Sequence, residues 1–353
     1  MADYMHRQTD KALKQLENDV WNIYAESAKD LERKASKHFQ RYYAADKEKR
    51  KLVESGEMSK SAYKKWKQRQ LMIGRRWKAF QQQIAEDCTV TNQIAQSLIN
   101  GRLPQVYADN ANWEAFSLDT QAAANGINTS WTVYNKDTVN RLIADDPDIL
   151  PFKEIDPTKD TPWNMRLLRR ELTKSIIQGE SIPDIAKRFM HIAEMNRSRA
   201  LINARTAVNS AQNAGRYNSQ QRAADMGIEF EREWRATFDK RTRPSHRHAD
   251  GQRVGVNEPF IVEGYKMMYP GDMSAPAHLV YGCRCTVVSR LAGYTGAAQR
   301  RAEERQTSAE YNKWLTDKPI YKPLKRGDIN AIQTCRPFGR NQKGTDGSGK
   351  PCA

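Results

Sequence analysis

The stretch Tyr281-Gly282-Cys283-Arg284-Cys285 sets two cysteines around one arginine in a chain that has only 5 cysteines in 353 residues. The other three, Cys88, Cys335 and Cys352, are scattered. So tight a pair admits four readings: a disulfide framework, a metal site, a thiol nucleophile, or simple burial. An odd number of cysteines at irregular spacing does not make a secreted disulfide scaffold. If the stretch is strand, Cys283 and Cys285 point to the same side. That is poor for bonding each other and workable for reaching one metal where Gly282 lets the chain bend. Upstream, His246 and His248 also sit one residue apart, with Asp239 and Asp250 nearby. Two ligands from each of two segments (His246, His248, Cys283 and Cys285) is the usual supply of structural zinc, although such sites favour C-x-x-C over C-x-C. The plainer alternative is that both thiols are small buried hydrophobes. A nucleophilic cysteine needs a base and an oxyanion site within reach, and the sequence marks neither.

Working outward, CRCTVVSRL from 283 and PFIVEG at 259–264 read as short strands, with the turn-rich YPGDMSAPAH between them. Ile228, Phe230, Trp234, Ala236 and Phe238 alternate with polar residues as a half-buried strand does, Arg232 being the one break. Between these lies the polar loop DKRTRPSHRHADGQ at 239–252. Helices precede it. One runs from Trp163 to a stop at Gly179, a short one is capped by Ser181, and a long one spans Arg197 to Met226 and ends at Gly227. The small residues Ala204, Ala207, Ala211, Ala214 and Gly215 would let another element pack close to that long helix.

The first hundred residues read as two long helices. Leu13, Leu16, Val20, Tyr24, Ala28 and Leu31 recur in steps of three or four, with Ile23 beside them. After the turn ESGEMS, Ser59 caps a second helix with the stripe Tyr63, Trp66, Ile73, Trp77, Phe80 and Ile84. From 101 to 160 the pattern is broken by Gly101, Pro104, Gly126, Pro147, Pro151 and Pro157, with one brief helix at DTVNRLIAD. The fold predicted is mainly α with a small α+β C-terminal domain. Its parts are a basic helical hairpin over 1–105, an irregular connector over 106–160, a domain over 161–292 (helices 161–227, short strands 228–292), and a helix with a tail of disordered composition over 293–353.

Charge narrows the partners. Lysine and arginine number 58 against 42 acids, a net charge of +16, with a pI near 9.6 and a mean hydropathy of −0.84. Such a balance calls for a polyanion, nucleic acid first. KEKRK at 47–51 and then Lys60, Lys64, Lys65, Lys67, Arg69, Arg75, Arg76 and Lys78 meet few acids and are interleaved with aromatics, a pattern suited to sequence-independent phosphate contact. The competing reading is a solvated basic face, with the tryptophans as packing residues. No run approaches the ~20 apolar residues of a membrane span, and the N-terminus lacks a signal-peptide core, so the protein is expected to stay in the reducing compartment where it is made.

The order ART at 204–206, Gly227, Trp234, the 239–252 loop, EPF at 258–260, Gly264, YPGD at 269–272 and the closing CRC resembles the head-morphogenesis domain of the phage minor head proteins of the Mu F type, over roughly 165–290. Gly282 departs from that pattern, in which asparagine precedes CRC. The resemblance implies a low-copy structural protein of a tailed-phage head. Such a protein is associated with the portal and other head proteins during assembly and helps to organise or deliver DNA. It would lie inside the head of the virion near the portal, and in the host cytoplasm while heads are built. The family brings no catalytic residues to transfer, no small-molecule substrate and no membrane. Its signature positions here are Asp239, Arg241, Arg243, His246, Asp250, Gly251, Gly271, Asp272, Cys283, Arg284 and Cys285. In physical terms, carboxylate–guanidinium pairs would lock the 239–252 loop onto the segment carrying Arg284. The alternative is a metal-dependent nuclease built on His246, His248, Asp250 and the cysteine pair, against which a closed two-histidine, two-cysteine zinc leaves no position for water.

Overall fold

Asp3 starts the first helix by accepting a hydrogen bond from the His6 amide at 2.8 Å, covering one of the amides a helix N-terminus leaves unpaired. In this computed structural model, which describes residues 3–291 and 308–322, α1 (Tyr4–Phe39) buries Leu16, Val20, Tyr24, Ala28 and Leu31, the stripe its spacing predicts. α2 (Tyr43–Glu54) follows, and Ser59 caps α3 (Lys60–Met72) through the Ala62 amide. The second long helix expected from Ser59 is two helices. Gly74 adopts φ +105°, a conformation essentially reserved for glycine, and the chain turns there into α4 (Arg75–Ala124). Ile73 is consequently 64% exposed, although Tyr63, Trp77, Phe80 and Ile84 are buried as the stripe requires.

α4 is 50 residues long and runs straight through Gly101 and Pro104, so the irregular segment expected from 106 begins only after Ala124. A proline inside a helix costs about 3 kcal/mol. Leu103, Val106 and Tyr107 beside it are buried in a common cluster, and each large apolar side chain so covered returns roughly 1.5–3 kcal/mol. Packing therefore outweighs the local penalty. α5 (Lys136–Asp145) is the brief helix read at DTVNRLIAD. α6 (Pro157–Gln178) starts earlier than Trp163, at the Asp156 cap and Pro157, and ends at Gly179 with φ +76°. Ser181 caps α7 (Ile182–Arg188) through the Asp184 amide. α8 (Met190–Asp225) begins before Arg197 and stops ahead of Gly227.

The crossing of α4 and α8 is the axis of the helical part. A methyl group added at Gly215 would lie 2.3 Å from the Tyr107 carbonyl oxygen, so the two backbones meet where α8 is smallest, between Ala211 and Ala214 on one side and α4 on the other. One apolar cluster joins Leu31 and Phe39 to Phe80 and Ile84, and both to Leu168, Leu172, Ile182 and Ile185. Another joins Leu16, Val20 and Tyr24 to Leu103, Tyr107 and the α8 alanines. The stripes of the N-terminal helices are thus covered by α6, α7 and α8 as well as by each other.

The β part comprises β1 (Phe230–Arg235), α9 (Pro244–Ala249), β2 (Arg253–Val254), β3 (Phe260–Val262), β4 (Tyr265–Met267), α10 (Ala277–Val280) and β5 (Thr286–Leu291). β2, β1 and β5 form an antiparallel sheet in that order, with Phe230 opposite Leu291 and Arg235 opposite Thr286. β3 and β4 form a hairpin whose two turn residues, Glu263 and Gly264, both have positive φ (53° and 82°), the backbone that matches strand twist. β1 is shorter than the alternation suggests, leaving Phe238 69% exposed. The break at Arg232 has a cause: its side chain points inward beside Phe230 and Trp234, is fully buried, and donates to the carbonyls of Gly255, Met268 and Glu258. Burial lowers its pKa to about 10. α11 (Ser308–Asp317) lies within the stretch 293–353 where a helix is expected; residues 292–307 and those beyond 322 lie outside the described residues.

Candidate functional site

Part of the polar loop after β1 is helix, and this changes the expected ligand set. Pro244 sits in the first turn of α9, where its missing amide proton costs nothing. Residues two apart on a helix do not share a face. His246 therefore turns inward at 2% exposure, while His248 is exposed. β5 begins at Thr286, so Cys283 and Cys285 occupy the turn before it rather than a strand. Gly282 takes φ +67° in that turn, a left-handed conformation that glycine and asparagine both tolerate, which fits either residue ahead of CRC.

The turn brings the sulfurs together on the histidine. His246 Nδ1 stands 3.4 Å from Cys285 Sγ and 3.6 Å from Cys283 Sγ, and the Cys285 amide donates to Cys283 Sγ at 3.4 Å. The prospective ligand atoms of the three residues all lie within 4.8 Å of one another. Around them are Trp234, Phe260, Met267, Leu279 and Val287, with the Trp234 ring edge-to-face with His246 at 5.7 Å. The Cys285 side chain donates to Cys283 and thereby holds the Cys283 thiol below its ordinary pKa, while the same bond and burial push Cys285 up. His246 Nε2 is buried without a hydrogen-bond partner among the described residues. Of the four expected ligands the structure assembles three and leaves out His248.

The clamp predicted around this turn is present. Arg284 meets Asp239 through two parallel bonds of 2.5 and 2.6 Å, and the Asp239 carboxylate also accepts from the Arg241 amide at 2.8 Å. Arg243 donates to the Tyr281 carbonyl and Arg247 to the Asp239 carbonyl. Among the described residues Asp250 pairs with no arginine; it accepts from the Ala236 amide at 2.8 Å. Gly251, at φ +75°, donates to the Trp234 carbonyl. Asp272 accepts from the amides of Met268 and Ser274 and so shapes the PGD turn. Gly271 lies against α8 so closely that a Cβ would be 2.9 Å from Asn209 Nδ2.

Of the α8 residues that receive this part, the sequence marked Thr206, as the last residue of ART, and not Asn213 or Arg216. Thr206 accepts from the Gly282 amide at 3.0 Å. Asn213 donates to the carbonyls of Pro270 (2.8 Å) and Cys285 (3.0 Å) and accepts from the Val287 amide. Arg216, fully buried, reaches Asp3 at 2.6 and 2.9 Å and the Val287 carbonyl at 3.2 Å. The available signal was polar residues in phase with the small ones on a helix whose small face had to be buried.

Of the proposed phosphate contacts, Lys60, Lys65, Arg69, Arg75, Arg76 and Lys78 are exposed and Lys64 is half-buried. Lys67 is a correction. It is fully buried, donates to the Glu180 carbonyl, lies 3.8 Å from Asp46 and sits 4.4 Å from the centre of the Tyr63 ring. Its cation is spent inside the fold.

Residues 167–288, from α6 into β5, match the family described as Phage Mu protein F like protein. The segment contains every signature position named above, and the resemblance carried by those residues is thereby shown. The Minor head protein GP7 of Bacillus phage SPP1 is similar beyond that segment: 22% identical over 296 residues, which are 82% of this chain and 87% of that protein. The NAD(+)--arginine ADP-ribosyltransferase EFV of Enterococcus faecalis (strain ATCC 700802 / V583) is 29% identical over 157 residues, 43% of this chain, and the chain spans only 32% of that protein. No solved structure gives a significant match.

Proposed function

We propose that the chain is a minor structural protein of a tailed-phage head, with residues 161–292 as its head-morphogenesis domain. It docks on the portal or the inner head and meets DNA without sequence preference during assembly, packaging or ejection. The observation that carries this reading is the similarity to the SPP1 minor head protein across most of both chains, because it extends well beyond residues 167–288 that the family match covers. The exposed cations of α3 and the start of α4, in a chain of net charge +16, support contact with phosphate. On this reading the protein works inside the head near the portal and is present in the host cytoplasm while heads form. It is non-catalytic. The segment shared with the ADP-ribosyltransferase is about a third of that protein, and the named activity stays with it. The nuclease alternative is not supported: His248 is exposed and Asp250 is bonded to a backbone amide, and neither joins the group of His246, Cys283 and Cys285. Among the described residues no helix is long and apolar enough to cross a membrane.

The test is quantitative mass spectrometry of washed, DNA-filled particles against the major shell protein. A small, constant copy number supports the reading; absence from particles with abundant protein in the lysate overturns it.

A further inference from the structure

We propose that His246, Cys283 and Cys285 bind one soft divalent cation of the zinc class, which pins α9 to the turn entering β5. Four observations converge. Zinc bonds of about 2.3 Å to sulfur and 2.0–2.1 Å to nitrogen give tetrahedral nitrogen–sulfur edges of about 3.6 Å. The observed edges from His246 Nδ1 are 3.4 and 3.6 Å. The donor set, two thiols and an imidazole, is the set that prefers zinc-like ions to hard cations. The charges close: two thiolates cancel a divalent cation and the imidazole stays neutral, so the apolar cluster of Trp234, Phe260 and Leu279 encloses no net charge. The Cys285 amide already donates to Cys283 Sγ, the backbone support that steadies a ligating thiolate.

Simple burial explains less. Cys88 is what a filler cysteine looks like in this chain: it packs among Ile84, Ala85 and Leu168 and joins no metal-capable group among the described residues. Cys283 and Cys285 instead turn both sulfurs onto one nitrogen across 37 and 39 positions of chain. The elements so joined are short, α9 having 6 residues and the turn having no ladder of its own, and metal binding is folding free energy in such parts. Coordination deprotonates both thiols and releases two protons. With Nδ1 on the metal the ring proton sits on Nε2, the buried atom that has no hydrogen-bond partner among the described residues. The fourth position belongs to water or a small exogenous donor.

The experiment uses the full chain, purified under reducing conditions without chelator. Elemental analysis is expected to find about one zinc per chain. Replacement by cobalt(II) is expected to give tetrahedral d–d bands with sulfur-to-cobalt charge transfer. Cys283→Ser and His246→Gln are expected to lose both signals, and His248→Ala and Cys88→Ser to keep them. The wild-type measurements stand even where a variant fails to fold. Folded wild-type protein that holds far less than stoichiometric zinc and gives no cobalt spectrum overturns the proposal, and loss of metal in His248→Ala overturns this ligand set.

Discussion

Arg284 and Asp239 meet fork to fork, at 2.5 and 2.6 Å across 45 positions of chain. Hydrogen bonding from Arg284 holds the Asp239 carboxyl well below the usual carboxylate range. A carboxylate with a lowered folded pKa contributes stability that is fully present above its unfolded value, about 3.9, and is lost as pH falls through the folded one. Asp239→Asn is therefore expected to be less stable than wild type at neutral pH, with the gap closing below about pH 4. Denaturant titrations of both proteins across that range check it. Arg284→Lys keeps the charge and loses the fork, so faster amide exchange over 237–250 is expected at neutral pH.

Two glycines inside helices separate propensity from packing. Replacing glycine with alanine in a helix interior gains up to about 1 kcal/mol. At Gly101 nothing lies within 4 Å of the new Cβ, and Gly101→Ala is expected to stabilise by about that amount. At Gly215 the Cβ meets the Tyr107 backbone at 2.3 Å, and overpacking costs of about 1–3 kcal/mol or more exceed the gain. Gly215→Ala is expected to lower the denaturation midpoint, and equal stabilisation of both variants would contradict the close crossing.

His38 stacks on Phe80 with ring centres 3.9 Å apart. Burial, with a smaller push from Arg41, lowers its pKa to about 4. The unfolded state, with a value near 6.5, binds more protons between those limits, so stability falls as pH drops from about 6.5 to about 4. His38→Gln is expected to flatten that part of the profile of thermal midpoint against pH; an unchanged slope would place the titrating group elsewhere.

The basic surface and the buried lysine make opposite predictions. Replacing Lys64, Lys65, Arg75 and Arg76 together with glutamine is expected to weaken DNA binding and reduce the salt slope by up to about 3.5, with the denaturation midpoint unchanged. Lys67→Met is expected to leave the slope alone and destabilise by up to about 3–5 kcal/mol, since it removes the cation facing the buried Asp46 and the donor to the Glu180 carbonyl. Filter-binding titrations at several salt concentrations and denaturation curves read the two effects separately.

What the sequence disclosed was local. The α1 stripe, the caps at Ser59 and Ser181 and the stops at Gly179 and Gly227 rest on neighbours within a turn or two. Pro104 misled because its cost is local while the compensation comes from α1 and α8. The cysteine pair and His246 could be picked by residue type, but excluding His248 required knowing the helical phase of six residues that look like loop. Lys67 was legible in principle: it sits four residues from both Tyr63 and Leu71, on their buried line. Asn213 and Arg216 were not, because nothing in a polar letter tells that carbonyls and carboxylates from distant segments will surround it.

The pairing of Asp3 with Arg216 spans 213 positions. At about 5–20 residues per second a ribosome takes some ten to forty seconds to cross that interval, and closing so long a loop is slow on refolding as well. Nascent α1 therefore waits for its seat on α8 with the Leu16–Val20–Tyr24 stripe sheltered by α4, which emerges sooner and shares that cluster. An α1–α4 pair formed before α8 is the expected early species, to be sought by pulse-labelled hydrogen exchange on stalled ribosomes.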